Sequence, residues 1–329
     1  MALFNANLII RETRKARGLT QEKLAEGICS RETIVKLEKG QRKPNWYVYR
    51  ELMRRLGIND ESPQQDNFVS DEEVSMFQWL NNCYGLISVN KFDKALAEIK
   101  QRDTDDSPLW TSGLWHTMFL RLKAYFYSST LHAERQTNPH VDPQRTVDCA
   151  LAYLEYTRAN FDVDKITTYF LATHEYEMLN YLATAYTWLD KKDTAVKIWM
   201  DMKKNAEKQY TLSTGGLPQS VTLQYRNMLV HLGEALNRME RFEESLKIAE
   251  EGLASYNFSH HSPVSYVQYQ IIKATALRSL NRVEESRELS KRVLLTMYIF
   301  DGYGGIDFAL NKKEYEEQYG ETLDLSVPW

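Results

Sequence analysis

The sequence predicts an all-α protein in two parts, a headpiece of short helices followed by a longer array of helical hairpins. Three observations carry that reading. Apolar residues recur at helical spacing through residues 1–58, punctuated by helix caps. A polar stretch with no apolar periodicity, residues 59–71, then reads as a linker. Beyond it strand signals are sparse, and one turn pattern occurs four times between helices of hairpin length.

In the headpiece, Leu8, Ile9, Leu19, Leu24, Ile28, Ile34 and Leu37 fall at helical spacing between polar residues. Gly18 is placed to end a first helix, and the Thr20 hydroxyl to cap a second. Ser30 is placed to cap a third, from about Arg31 to Glu38, which Gly40 ends. Pro44 and Asn45 open a fourth, amphipathic helix that closes near Leu56-Gly57. Four or five short helices in about 60 residues match the size of a helix-turn-helix domain.

The order Gln21…Leu24-Ala25…Ser30-Arg31-Glu32-Thr33-Ile34…Leu37-Glu38-Lys39-Gly40…Lys43-Pro44 resembles the Cro/phage-repressor, or XRE, type of helix-turn-helix over residues 5–58. The resemblance implies that Arg31, Glu32, Thr33 and Lys36 read base edges in the major groove. It implies that Gln21, with Ser30, grips phosphate, and that Arg14 and Glu38 form a structural ion pair. The chemistry agrees, since Arg or Lys can pair with guanine and Glu can accept from cytosine. Lys15, Arg17, Lys39, Arg42 and Lys43 are better suited to phosphates, which fix register without reading sequence. A second reading has Glu32 simply balancing Arg31 on the helix surface.

Charge supports the DNA-binding reading. Residues 1–60 carry thirteen Lys/Arg against seven Asp/Glu, a net of +6, while the whole chain of 329 residues is at −4. The rest is therefore at −10. A basic end on an acidic body suits a protein that grips a polyanion through one domain.

The chain is long enough for a large core and two domains. It has no run of 18 apolar residues and no signal-peptide pattern, so a cytoplasmic protein is expected. Cys29, Cys83 and Cys149 lack CxxC spacing and suit free thiols in a reducing compartment. A redox switch through Cys29, just before the reading helix, is the lesser possibility.

The body should begin at a capping box, Ser70-Asp71-Glu72-Glu73. The turn at Asn90-Lys91-Phe92-Asp93-Lys94-Ala95 returns at Asp190, Glu240 and Asn281. Each has a small residue about twelve positions before its own small residue: Cys83, Ala183, Gly233 and Ala274. Such residues let paired helices approach closely. The copy Leu232-Gly233…Leu236…Phe242…Ser245…Ala249 resembles a tetratricopeptide repeat, and the others are degenerate. A further pair, about 111–131 and 143–160, keeps the architecture, with Asp142-Pro143 as cap and first turn. About five hairpins over residues 72–300 and a capping region at 301–329 are expected, wound as a tetratricopeptide-like superhelix.

The first helix of each pair should line the inner surface, where such arrays bind peptides or proteins. By register the candidates are Asn180, Thr184, Asn227, His231, Glu234, Asn237, Gln268, Ile271 and Thr275. An Asn amide can bond both C=O and N–H of a peptide backbone. An XRE-type reader followed by degenerate repeats resembles the peptide-pheromone regulators of Gram-positive bacteria, the RRNPP group, in its Rgg-, ComR- and PlcR-like branch. That resemblance implies a homodimer whose repeat groove takes a short signalling peptide and thereby alters DNA binding. The alternative is a DNA-anchored scaffold whose repeats bind a protein partner; a ligand-free repressor is a third reading.

No catalytic constellation is legible, and neither cofactor nor metal is expected. Gly302-Tyr303-Gly304-Gly305 lacks the strand and Lys/Ser of a phosphate loop. His260-His261 has no third ligand, and His174-Glu175 lacks the second His of HExxH because position 178 is Met. Trp79, Trp110, Trp115, Trp188 and Trp199 fall on helical faces as core.

Overall fold

The computed structural model describes residues 10–11, 13–15, 17–42, 46–56, 71–104, 113–132, 139–169, 171–211, 219–255, 263–299 and 308–322. Among the described residues the chain is helical, with no strand. Lys43, Pro44, Trp110, His260-His261, the 302–305 glycines and nearly all of the expected linker lie outside them.

By contact density the chain forms two compact units, Met1–Tyr225 and Arg226–Trp329. In the first, helical residues at 10–11 and 13–15 lead to Gly18, whose φ of +62° ends that helix as its lack of Cβ permits. Three helices follow: α1 Gln21–Ala25, α2 Arg31–Glu38 and α3 Trp46–Arg55. Thr20 Oγ1 accepts from the amide of Lys23, and Ser30 Oγ from that of Thr33. Ile10, Leu24, Ile34, Leu37, Leu52 and Leu56 are fully buried and form one core, with Leu19 and Ile28 packed at its edge. The headpiece therefore holds its helices by a continuous apolar centre, as the spacing of Leu19, Leu24, Ile28, Ile34 and Leu37 predicted, while Leu8 and Ile9 lie outside the described residues.

The same unit contains α4 Asp71–Ser88, α5 Phe92–Asp103, α6 Gly113–His132, α7 Pro143–Thr157, α8 Thr173–Trp188 and α9 Lys192–Thr211. A 3-10 turn, Val163–Thr168, links α7 to α8. Helix α10, Gln219–Arg238, crosses the unit boundary. The second unit continues with α11 Phe242–Ala254, α12 Pro263–Ser279, α13 Val283–Ile299 and α14 Phe308–Tyr319.

The recurring turn has one physical form. Asn90, Asp190, Glu240 and Asn281 sit at φ of 58°, 57°, 58° and 61°, in the left-handed region. The next residue's amide then donates five positions back: Lys91 to Leu86, Lys191 to Tyr186, Arg241 to Leu236 and Arg282 to Leu277, all at 2.8–2.9 Å. This left-handed closure satisfies helix-end carbonyls. Asn160, after α7, takes the same φ of 58° where the sequence showed no such signature. The small residues twelve apart are also buried, and two of the pairs bond. Cys83, Ala95, Ala183, Ala195 and Ser245 are 0% exposed. Ser245 Oγ donates to the Gly233 carbonyl and Ser286 Oγ to that of Ala274, at 2.9 and 2.7 Å.

Candidate DNA-binding helix and its seat on the repeat body

Helix α2 presents its polar face outward. Arg31, Glu32 and Lys36 are exposed and Thr33 is half-buried, while Ile34 and Leu37 anchor the opposite face. Arg31 Nε contacts Glu22 of α1, and Lys36 Nζ lies 2.8 Å from Glu32 Oε1. The expected Arg31–Glu32 balance is thus a pair of different partnerships. Such exposed ion pairs are weak in water and yield readily to a phosphate or a base edge. Around this helix Lys15, Lys39 and Arg42 are exposed and Arg17 is half-buried.

The helix is fixed from behind. Arg14 bonds Glu38 through Nε at 2.5 Å and Nη2 at 3.1 Å, and its Nη1 donates to the Leu19 carbonyl. Gln21 Nε2 donates to Glu38 Oε2 at 2.8 Å, so its side chain helps to set the helix angle. Burial pushes the Glu38 carboxyl up, but the bonds from Arg14 and Gln21 outweigh it and hold the group below its usual range. Behind α2, burial raises the Cys29 thiol to about 12. So little thiolate at neutral pH makes a poor redox switch.

The headpiece meets the repeat body through buried charge. Arg158, at the end of α7, contacts Glu26 at the end of α1 and donates from Nε and Nη2 to Glu175 of α8, both at 3.2 Å. Glu175 is 0% exposed and also accepts from the Ala172 amide at 2.7 Å. Gly27 has φ +72°, and a Cβ there would stand 2.6 Å from Glu175 Oε1. From α3, Glu51 lies 3.0 Å from His174 Nε2, and Arg55 donates to the carbonyls of Leu24 and Glu26. His174 Nδ1 in turn lies 3.1 Å from Glu177, which pairs with Arg121 of α6 at 2.8 Å. Sequence reasoning treated His174-Glu175 as a failed metal motif. The signal available was charge in the otherwise buried stretch Thr173–Asn180.

The expected inner-face residues fare differently. In the first unit Asn180 and Thr184 are buried, and Asn180 Oδ1 accepts from Trp199 Nε1 at 2.8 Å. In the second unit Asn227, His231, Glu234, Asn237 and Gln268 are half-buried. Asn237 Nδ2 donates to the Ile272 carbonyl at 3.1 Å, so its amide holds the backbone of α12. Ile271 and Thr275 border a cavity of about 70 Å³ that Asn311, Tyr315 and Gln318 of α14 also line. Among the described residues no group of three or more His, Cys, Asp or Glu could hold a metal, and no helix is long and apolar enough to cross a membrane.

A capped helix with an exposed polar face, set on a small helical core with exposed cations around it, is the arrangement of a helix-turn-helix DNA-binding domain. The helix-turn-helix family model matches residues 10–60. An uncharacterized HTH-type transcriptional regulator of Methanothermobacter thermautotrophicus is 42% identical over 66 residues, 20% of this chain and 91% of that protein. The chain belongs to the HTH-type transcriptional regulators, a family of DNA-binding regulators and not of enzymes.

The whole chain also resembles solved structures. The crystal structure of Bacillus thuringiensis PlcR in complex with the peptide PapR7 and DNA is 15% identical with a TM-score of 0.50, covering 94% of this chain and 98% of PlcR. The apo form of the competence regulator ComR from Streptococcus vestibularis is 13% identical with a TM-score of 0.44, covering 96% and 97%. The fold is that of PlcR, a helix-turn-helix headpiece with a helical-repeat body.

Proposed function

We propose that the protein is a sequence-specific transcriptional regulator whose repeat body binds a short signalling peptide, and that this binding changes how the reading helix engages DNA. The observation that carries the reading is the seat just described. The headpiece rests on the end of α7 and the start of α8 through Glu26–Arg158–Glu175 and Glu51–His174–Glu177, so a ligand that shifts α8 also shifts the charges under the headpiece. The likeness to PlcR, a protein solved with peptide and DNA together, supports the same arrangement.

In this reading Arg31, Glu32, Thr33 and Lys36 face base edges, and Gln21, Ser30, Lys15, Arg17, Lys39, Arg42 and Lys43 hold the backbone. A homodimer places two reading helices on half-sites about 10 bp apart or a multiple of that. The test is a gel-shift titration on a selected operator. Arg31→Ala costs about 1–3 kcal/mol and relaxes one base pair, whereas Lys43→Ala weakens all sequences alike. Unchanged affinity in both variants would remove the assignment of the reading helix.

A further inference from the structure

Five side chains from the first helices of three successive hairpins converge in the first unit. Tyr84 comes from α4, Arg121 and Tyr125 from α6, and Glu177 and Tyr181 from α8. The three tyrosines are half-buried. Tyr84 and Tyr125 have ring centroids 5.2 Å apart, Tyr125 and Tyr181 6.4 Å, and the Arg121 guanidinium lies 5.8 Å from the Tyr84 ring. None of the five was singled out from the sequence, yet together they make an aromatic surface with one cation in it.

The donors and acceptors there are unequally used. Glu177 Oε1 accepts from Tyr181 at 2.8 Å and from Arg121 Nη2 at 3.3 Å, and Oε2 takes Arg121 Nε at 2.8 Å with His174 Nδ1 3.1 Å away. Its acceptor capacity is filled. Arg121 engages Glu177 through Nε and Nη2 only, and Nη1 carries no protein partner among the described residues. The Arg121 side chain keeps 21% of its surface exposed, against 10% for Glu177. A guanidinium with unspent donors, reachable and flanked by aromatic rings, suits a planar anion.

We propose that Arg121 anchors a carboxylate carried by a short peptide, with Tyr84, Tyr125 and Tyr181 packing on the residue that bears it. This rests on the reading of the body as a peptide binder and says which chemistry that peptide needs. The carboxylate is either the peptide's C-terminus or an Asp or Glu side chain.

The test uses the full chain and short synthetic peptides of random sequence, retained by the protein and identified by mass spectrometry. Each retained peptide is then remade in two forms, C-terminally amidated and with Asp/Glu changed to Asn/Gln. One of the two changes should weaken binding by about tenfold or more, as loss of a charge-assisted bond requires, and which one does so names the source. In Arg121→Gln the discrimination should vanish. If all forms bind alike, or the discrimination survives in folded Arg121→Gln, the anchor is overturned while peptide binding stands. If no peptide is retained, both readings fall. Should Arg121→Gln not fold, Tyr125→Ala substitutes, and undiminished binding in that variant overturns the site.

Discussion

His174 Nε2 of the repeat body lies 3.0 Å from Glu51 Oε1 of the headpiece, with both side chains almost wholly buried. A buried contact between a His and a carboxylate across two structural parts holds them at one angle. Removing the imidazole deletes this contact between Glu51 and the body in a low-dielectric setting. His174→Ala should therefore loosen the headpiece on α8 without unfolding either part. Hydrogen exchange over Trp46–Arg55 should rise while the rest of the first unit stays protected. Equal exchange in wild type and variant would mean that this contact carries no restraint.

Arg158 makes a harder demand. Its guanidinium is shared by Glu26 and Glu175, and Glu175 is 0% exposed. Arg158→Ala takes the paired cation from that carboxylate and leaves it the Ala172 amide, and losing one member of a buried pair costs about 3–5 kcal/mol. Urea unfolding of the full chain should show a loss of this order. Gly27→Ala attacks the same seat from the other side, because its Cβ would press on Glu175 and its φ is positive. A loss under about 1 kcal/mol in Arg158→Ala would mean that water reaches the ion pairs.

Much of the architecture was legible because local rules and packing agreed. Thr20, Ser30 and Asp142 accept the amide bonds expected of caps, and the periodic residues Leu24, Ile34 and Leu37 are core. The four turn copies adopt one left-handed conformation because each must close a helix end within a residue or two. The charged seat was not legible. Glu26 and Arg158 are 132 positions apart, and no periodicity announces a partner at that distance. The partner of Asn180 was hidden for a related reason: register gave its face, but not the Trp199 indole that donates to its side-chain oxygen.

Glu177 gives a pH signature. Burial alone would raise its carboxyl, but the Arg121 charge and the His174 and Arg121 bonds outweigh burial and hold it far below the ordinary value. A carboxyl depressed on folding adds stability above its unfolded pKa of about 4.3, and that contribution fades as pH falls toward the folded value. Glu177→Gln should thus be less stable than wild type at pH 7, and the gap should narrow below about pH 4. Melting temperatures across that range check it. A gap that stays constant in acid would assign the loss to packing.

The last prediction concerns close packing in the second unit. A Cβ at Gly252 would enter the ring of Tyr269, which is 0% exposed and donates from its hydroxyl to the Arg226 carbonyl at 2.8 Å. The ring has nowhere to move without breaking that bond, so the added methyl forces α11 and α12 apart. Overpacking of this kind costs about 1–3 kcal/mol. Gly252→Ala should lower the unfolding midpoint accordingly. Pairing it with Tyr269→Phe should give less than the sum of the two losses, because once α11 and α12 have separated the hydroxyl bond is already weakened. Strict additivity in that double-mutant cycle would show that the methyl is accommodated somewhere other than against the ring.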